Sequence, residues 1–242
     1  MSTAARVSVI MPVYRLPDSV EGNVARVVAA LADVEGLEVV VVDDGSGDGT
    51  LEAAVRAAST HPNVVAVGLP TNSGKGHAIR AGVEASTGEV VVLLDGDLDL
   101  PPEQLPAILE RFEREGVDAL VGAKHQSMKR GGYPAWRRFL SRAFSWITRI
   151  AFRLPVAETQ TGLKVFRREP LDRLLPHLKV TRYAYDIELL VMTHRGGYRV
   201  GQVPVIMERS DSQSAVRLRT LWEVARDTAA VWFRSLRRRG RQ

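Results

Sequence analysis

The 242-residue chain predicts an α/β domain: a mostly parallel, Rossmann-like sheet with helices on both faces, followed by a C-terminal amphipathic helix. Two observations carry that expectation. Short β-branched runs such as VVVVDD alternate with segments of about 10–15 residues whose apolar positions recur at helical spacing. These runs also lack the apolar–polar alternation of a sheet with one wet face, so they belong to strands covered on both sides.

The elements follow in order. Residues 7–12 (VSVIMP) read as a buried strand, and residues 18–33 as the helix after it. Residues 37–44 (LEVVVVDD) form a strand ending in two acids, and a Gly-Ser-Gly turn leads to a helix over 48–59 with Asp48 as its N-cap. A third strand spans 63–69 (NVVAVGL), and a third helix opens at SGKGHAIRAGVEAS, 73–86. The fourth strand, 89–95 (EVVVLLD), precedes a helix over 102–115 whose first turn takes Pro102. A fifth strand covers 117–123.

The second half is less regular. Residues 135–154 predict an amphipathic helix with Trp136, Phe139, Phe144, Ile147, Ile150 and Leu154 on one side and Arg on the other. Strands at 162–168 and 198–207 flank helices near 170–177 and 185–196. A last helix, roughly 215–237, aligns Leu218, Leu221, Trp222, Ala225, Ala229 and Trp232 along one stripe. Residues 1–208 are expected to form the catalytic domain and 209–242 a basic amphipathic tail.

Composition narrows the class. Hydrophobic content of 45% and charged content of 25% are those of a folded globular protein. The absence of cysteine removes disulfides and thiolate metal sites and fits a reducing cytoplasm. No apolar run approaches the roughly 20 residues of a membrane-spanning helix, and the N-terminus lacks a signal-peptide pattern. The expectation is a cytoplasmic protein, soluble or peripheral at the cytoplasmic face of a membrane.

The net charge of +5 is unevenly placed. From Arg209 onward nine Arg face three acids. Between Asp118 and Glu158 there is no acid, yet eight bases fall there: Lys124, Lys129, Arg130, Arg137, Arg138, Arg142, Arg149 and Arg153. Such asymmetry calls for an anionic partner: phosphate, nucleic acid or an acidic membrane surface. The Arg of the 135–154 helix are otherwise a solvated face, and its apolar side is either an interfacial surface or ordinary core.

In an open parallel sheet, ligands bind beyond the carboxyl ends of the strands. Those ends deliver Pro12 and Tyr14, Asp43 and Asp44, Asn72 to Gly76, and Asp95 to Asp99. Asp95-Gly96-Asp97, with Asp99 beyond, offers the oxygen ligands that Mg²⁺ or Mn²⁺ takes together with substrate phosphates; alone, the pattern is also a common polar turn. Asp43 and Asp44 can accept hydrogen bonds from a base or ribose, or simply cap the turn into the next helix. Asn72-Ser73-Gly74-Lys75-Gly76-His77 lacks the spacing of a Walker loop, though its glycines and Lys75 could approach a diphosphate at a helix N-terminus. His77 reads as a packing or surface residue.

Taken together, VSVIMPVYR, VVVVDDGSGDGT, NSGKGHAIRAG and VVLLDGDLDLPPE, in this order and spacing, resemble the family 2 glycosyltransferases of GT-A fold. ETQTGLKVFRRE (158–169) and RYAYDIELL (182–190) resemble the polyprenyl- and dolichyl-phosphate hexose synthases, the glucosyl branch more than the mannosyl. The resemblance covers about residues 6–207.

It implies a role for each matching position. Asp43 and Asp44 would hold the base and ribose of a nucleotide-diphosphate sugar, with Pro12 and Tyr14 lining that pocket and Asn72, Lys75 and Gly96 beside the donor. Asp95 and Asp97 would hold the divalent metal against the diphosphate, with Asp99 as a further ligand. Lys124, Arg137 and Ser141 match the region that receives an acceptor phosphate, and Gln160, Gly162 and Lys164 would face the sugar or acceptor. Asp186 and Glu188 match the late acidic motif.

Chemistry follows from the acceptor. A polyprenyl phosphate oxygen is already anionic and needs positioning and charge stabilisation more than a base. Arg137 would steer it while Asp97 acts through the metal. A hydroxyl acceptor would need a general base, and Asp186 is then the candidate. A single displacement inverts the anomeric centre in either case. Three alternatives remain: a soluble acceptor such as a saccharide or small acid, a nucleic-acid-binding protein, and an inactive sugar-nucleotide sensor. The strands carry almost none of the aromatic platforms of RNA readers, so nucleic acid is not the expected partner.

Overall fold

The computed structural model describes residues 6–124, 148–156, 158–159, 161–180, 184–208, 226–228 and 230–232. Seven strands form one sheet: β1 (Val7–Val13), β2 (Glu38–Asp43), β3 (Val64–Gly68), β4 (Val90–Leu94), β5 (Ala119–Lys124), β6 (Leu163–Arg167) and β7 (Val200–Val205). Among them run the helices α1 (Val20–Ala30), α2 (Thr50–Thr60), α3 (Lys75–Glu84), α4 (Leu105–Glu115), α5 (Arg168–Leu174) and α6 (Tyr185–Arg195).

Strand order is β3-β2-β1-β4-β6-β5-β7. β1 to β4 are mutually parallel, β5 and β7 are parallel to each other, and β6 runs antiparallel between β4 and β5. Apolar continuity marks a strand as buried on both faces but carries no direction, so the reversal of β6 was not predictable from its residues.

Burial on both faces explains the continuous runs. Val39 and Val41 of β2 enter one core with α1, α2 and α4, while Val40 and Val42 enter a second core with α3, α5 and α6. β4 divides likewise: Val90, Val92 and Leu94 on the first side, Val91 and Leu93 on the second. In β6, Leu163 and Val165 join the first core and Phe166 the second.

Some boundaries move. α2 begins at Thr50, not at residue 48, because Gly49 takes φ 94° and the Asp48 carboxylate accepts from both the Thr50 amide (3.2 Å) and hydroxyl (2.6 Å). Of the helix expected over 135–154, the described part is helical at 148–152, with Phe152 and Leu154 buried in the second core and Ile150 55% exposed. Of the last helix, residues 226–228 and 230–232 are described. There Val231 enters that core while Trp232, expected on the apolar stripe, is 37% exposed; the other residues of that stripe lie outside the described residues. No helix among the described residues is long and apolar enough to cross a membrane.

The sheet grows one way from β1 through β2 to β3 and the other way to β4. The crevice beyond the carboxyl ends of β1 and β4 is therefore the switch point at which such sheets bind ligands.

Candidate active site

Two tight turns build the floor of the crevice. After β2, Gly45 takes φ 66°, and a side chain there would collide with the Thr71–Asn72 backbone, so only glycine lets the two loops touch. Asp43 and Asp44 are both almost wholly buried. The Asp43 carboxylate accepts from the Ser46 amide at 3.1 Å and from the Ser46 hydroxyl. Asp44 accepts from the Ser73 amide (2.8 Å) and the Gly74 amide (2.9 Å), which ties down the loop that opens α3. Both acids thus shape the turns of the site, and the lone pairs left over are what a base or ribose could use.

After β4, the Asp95 amide donates to the Gly162 carbonyl (3.1 Å), and a Cβ on Gly162 would lie 2.5 Å from Asp95 Oδ2. Gly162 therefore fixes where the Asp95 carboxylate can stand. The Gly96 carbonyl accepts from the Asn23 side chain at 2.8 Å, and Leu98 turns the chain with φ 53°. Asp97 is the exposed residue of this turn, between the buried Gly96 and Leu98. The Asp99 carbonyl accepts from the Glu208 amide at 2.9 Å, joining the acidic loop to the chain leaving β7.

Lys75, the first residue of α3, forms an ion pair with Asp95, and its ammonium lies 5.7 Å from the Tyr185 ring centroid. Desolvation opposes its charge, but Asp95, Asp186 and Asp97 prevail and raise its pKa. Loss of solvent and then the Asp95 charge hold the Asp97 carboxyl above its ordinary value. Burial, then Asp186 and Asp95, pushes the Tyr185 phenol well up.

Behind this pair lies another. Lys164 is 1% exposed, and its ammonium donates to Asp186 (2.5 Å) and to the Thr161 carbonyl (2.6 Å). The side chain expected in the acceptor pocket is instead enclosed, with its charge spent on Asp186. The Glu188 carboxylate accepts from the Lys179 and Val180 amides at 2.9 and 2.7 Å, a structural tie. The Thr159 and Thr161 hydroxyls are buried with no hydrogen-bond partner among the described residues.

The crevice thus gathers Lys75, Asp95, Asp97 and Asp186, with Gly96 buried beneath and Tyr14 39% exposed at the rim. Pro12 lies on β1 beside Gly96, its carbonyl accepting the Gly96 amide at 3.3 Å, and Asn72 enters the loop held by Asp44. Lys124 ends β5. Arg137, Ser141 and Gln160 lie outside the described residues. Tyr185 is a member of the site that the sequence reading misses; its place beside Asp186 in the sequence is the available signal. His77 is exposed, as expected.

No three acidic or histidine side chains form a ready metal cage among the described residues, and Asp99 does not complete one with Asp95 and Asp97. The donor set still fits Mg²⁺ or Mn²⁺, which commonly binds through one or two carboxylates and leaves the remaining positions to substrate phosphates. Loss of solvent and, after it, the neighbouring Asp95 charge both disfavour the Asp97 carboxylate, and a dication would offset them.

Comparison with known proteins places this arrangement. The chain is 28% identical over 237 residues to the glycosyltransferase AglD of Haloferax volcanii, covering 96% of this chain and 38% of that protein. It is 29% identical over 206 residues to the dolichyl-phosphate beta-glucosyltransferase ALG5C of Trichomonas vaginalis (82% and 61% covered). It is 34% identical over 172 residues to an undecaprenyl-phosphate 4-deoxy-4-formamido-L-arabinose transferase of Aeromonas hydrophila (70% and 51%). The chain thus spans 38% to 61% of the length of these curated relatives.

Among solved structures, glucosyl-3-phosphoglycerate synthase from Mycobacterium tuberculosis with UDP superposes with a TM-score of 0.72 at 22% identity, covering 96% of this chain and 80% of that one. A mannosyltransferase from Pyrobaculum calidifontis with GDP-Man and Mn²⁺ superposes at 0.64 with 26% identity, covering 88% and 59%. The mixed seven-stranded sheet is thereby the GT-A fold. Residues 8–175 match the model of Glycosyl transferase family 2, and with that span covering most of the chain, including β2 to β4 and the residues Lys75, Asp95 and Asp97 of the crevice, the chain belongs to this family.

Proposed function

We propose that this protein transfers a hexose from a UDP- or GDP-linked donor to a polyprenyl or dolichyl phosphate, with inversion at the anomeric carbon. The observation that carries the proposal is the pair Asp95 and Asp97 at the switch point, with Lys75, the first residue of α3, in an ion pair with Asp95. The helix terminus and Lys75 suit a diphosphate, and the carboxylates suit its counter-ion. Support for a lipid-phosphate acceptor comes from relatives named as dolichyl-phosphate and undecaprenyl-phosphate transferases, and from the acid-free basic run between Asp118 and Glu158.

A divalent ion held by Asp95 and Asp97 would stabilise charge on the leaving diphosphate as a Lewis acid. The chain's own residues do the rest. Asp44 fixes the amide loop and α3 where the diphosphate docks, and Gly162 keeps Asp95 in place. Tyr14 and Pro12 border the base, with Asp43 and Asp44 beneath. Lys124, Arg137 and Ser141 would receive the acceptor phosphate, and Gln160 would border the sugar. An acceptor phosphate oxygen forms the new bond to the anomeric carbon as the bond to the nucleotide diphosphate breaks and that diphosphate leaves with the electron pair. No proton need be removed, so Asp186 serves by its charge and its hold on Lys164.

Such an enzyme would work as a peripheral protein at the cytoplasmic membrane face, where basic residues contribute on the order of 1 kcal/mol each. The test is a donor screen with purified protein, Mn²⁺ and a short polyprenyl phosphate, read by mass spectrometry. A polyprenyl phosphohexose is the expected product. Transfer only to soluble phosphates or saccharides, undiminished without lipid or detergent, would replace the acceptor, and no transfer from any donor would overturn the assignment.

A further inference from the structure

Lys75 occupies the Asp95 carboxylate to which the proposed function assigns the metal. Its backbone root is fixed, because the two amides before it donate to Asp44 at 2.8 and 2.9 Å. From that root its side chain crosses the crevice to Asp95. Asp186 attracts it as well, but that carboxylate already accepts from Lys164 at 2.5 Å, and the ion pair forms with Asp95. Lys75 therefore neutralises the acidic loop, whose Asp95 and Asp97 would otherwise repel one another.

An ammonium and a dication cannot both sit on the same carboxylate without strong repulsion. The two lysines of the site differ in freedom. Lys164 is enclosed, whereas the Lys75 side chain is 33% exposed on a four-carbon stem that can swing. The first amides of α3 and the Lys75 ammonium leave from the same turn, so an anion at that helix end would draw the ammonium toward it.

We propose that Lys75 is a stand-in cation that blocks the metal position until a nucleoside diphosphate draws it away, so that metal and nucleotide bind cooperatively through this one side chain. The inference rests on the donor-site assignment above. Because coupling between two ligands is reciprocal, Lys75 must strengthen each ligand in the presence of the other. Removing its charge should then tighten metal binding in the absence of nucleotide, the opposite of what loss of a supporting residue does.

The experiment is Mn²⁺ titration, followed by electron paramagnetic resonance and calorimetry, on the wild type, Lys75→Met and Lys75→Arg, each alone and with UDP or GDP. The Met variant is expected to bind Mn²⁺ alone about tenfold more tightly than the wild type and to gain less from nucleotide. The Arg variant should stay weak alone, as the wild type does. Lys75→Gln replaces the Met variant if that protein loses its cooperative unfolding transition. Equal or weaker Mn²⁺ binding by the neutral variant, with wild-type uptake still nucleotide-dependent, would overturn the stand-in role alone. No Mn²⁺ uptake by the wild type even with saturating nucleotide would overturn the donor-site assignment and this inference with it.

Discussion

A lysine within a strand carries its charge to whichever face the alternation dictates. Lys164 lies between Leu163 and Val165, which point to the first core, so its own side chain points with Phe166 to the second, toward α6. There its charge meets Asp186, and the pair is almost wholly buried. Breaking a buried pair by removing one partner costs about 3–5 kcal/mol, because the other charge stays enclosed. Lys164→Met should therefore lower the melting temperature by roughly 6–20 °C in a protein of this size. Adding Asp186→Asn should recover part of that loss, as measured by calorimetric unfolding. A raised acceptor KM with an unchanged melting temperature would instead return Lys164 to the acceptor pocket.

At the scale of elements, the loop before α3 depends on a residue 29 and 30 positions back: Asp44 accepts the Ser73 and Gly74 amides. Hydrogen bonds to a charged group are worth about 1.5–3 kcal/mol each, so Asp44→Ala should free this loop while leaving the sheet intact. Amide hydrogen exchange at Ser73 and Gly74 should speed by at least about tenfold, with nucleotide affinity falling in parallel. Unchanged exchange there would mean that the loop holds itself. Much at this scale was legible in the sequence. β1 to β5 stood out because each is a continuous apolar run, and the crevice followed because acids and glycines terminate those runs. The ion pairs were not legible, since Lys75 and Asp95, or Lys164 and Asp186, are brought together only by the sheet order. Nor was the direction of β6, which is set by its neighbours β4 and β5. Asp44 read equally well as a ligand residue or as a turn former, and its two amide partners come from a different loop.

The molecule as a whole separates its charges. Acids gather at the carboxyl ends of the central strands, while the basic segments root on the second core: Phe152, Leu154 and Val156 from one, Val231 from the other. Their described residues therefore pack on the same face of the sheet. Where they are described they expose apolar groups beside arginines: Ile150 at 55% and Trp232 at 37%, with Arg149, Arg153 and Arg226 also exposed. Apolar side chains among cations suit the proposed peripheral attachment to a headgroup layer. Binding to vesicles with about a third anionic lipid should accordingly weaken steeply as salt shortens the screening length from about 10 Å at 0.1 M to about 3 Å at 1 M. Replacing an exposed isoleucine removes insertion without opening a cavity, so Ile150→Asp should reduce co-sedimentation several-fold while nucleotide affinity and melting temperature stay near those of the wild type. The melting temperature separates the two roles this residue could have. If it drops while vesicle binding holds, Ile150 packs against protein and the membrane-facing surface must be sought elsewhere.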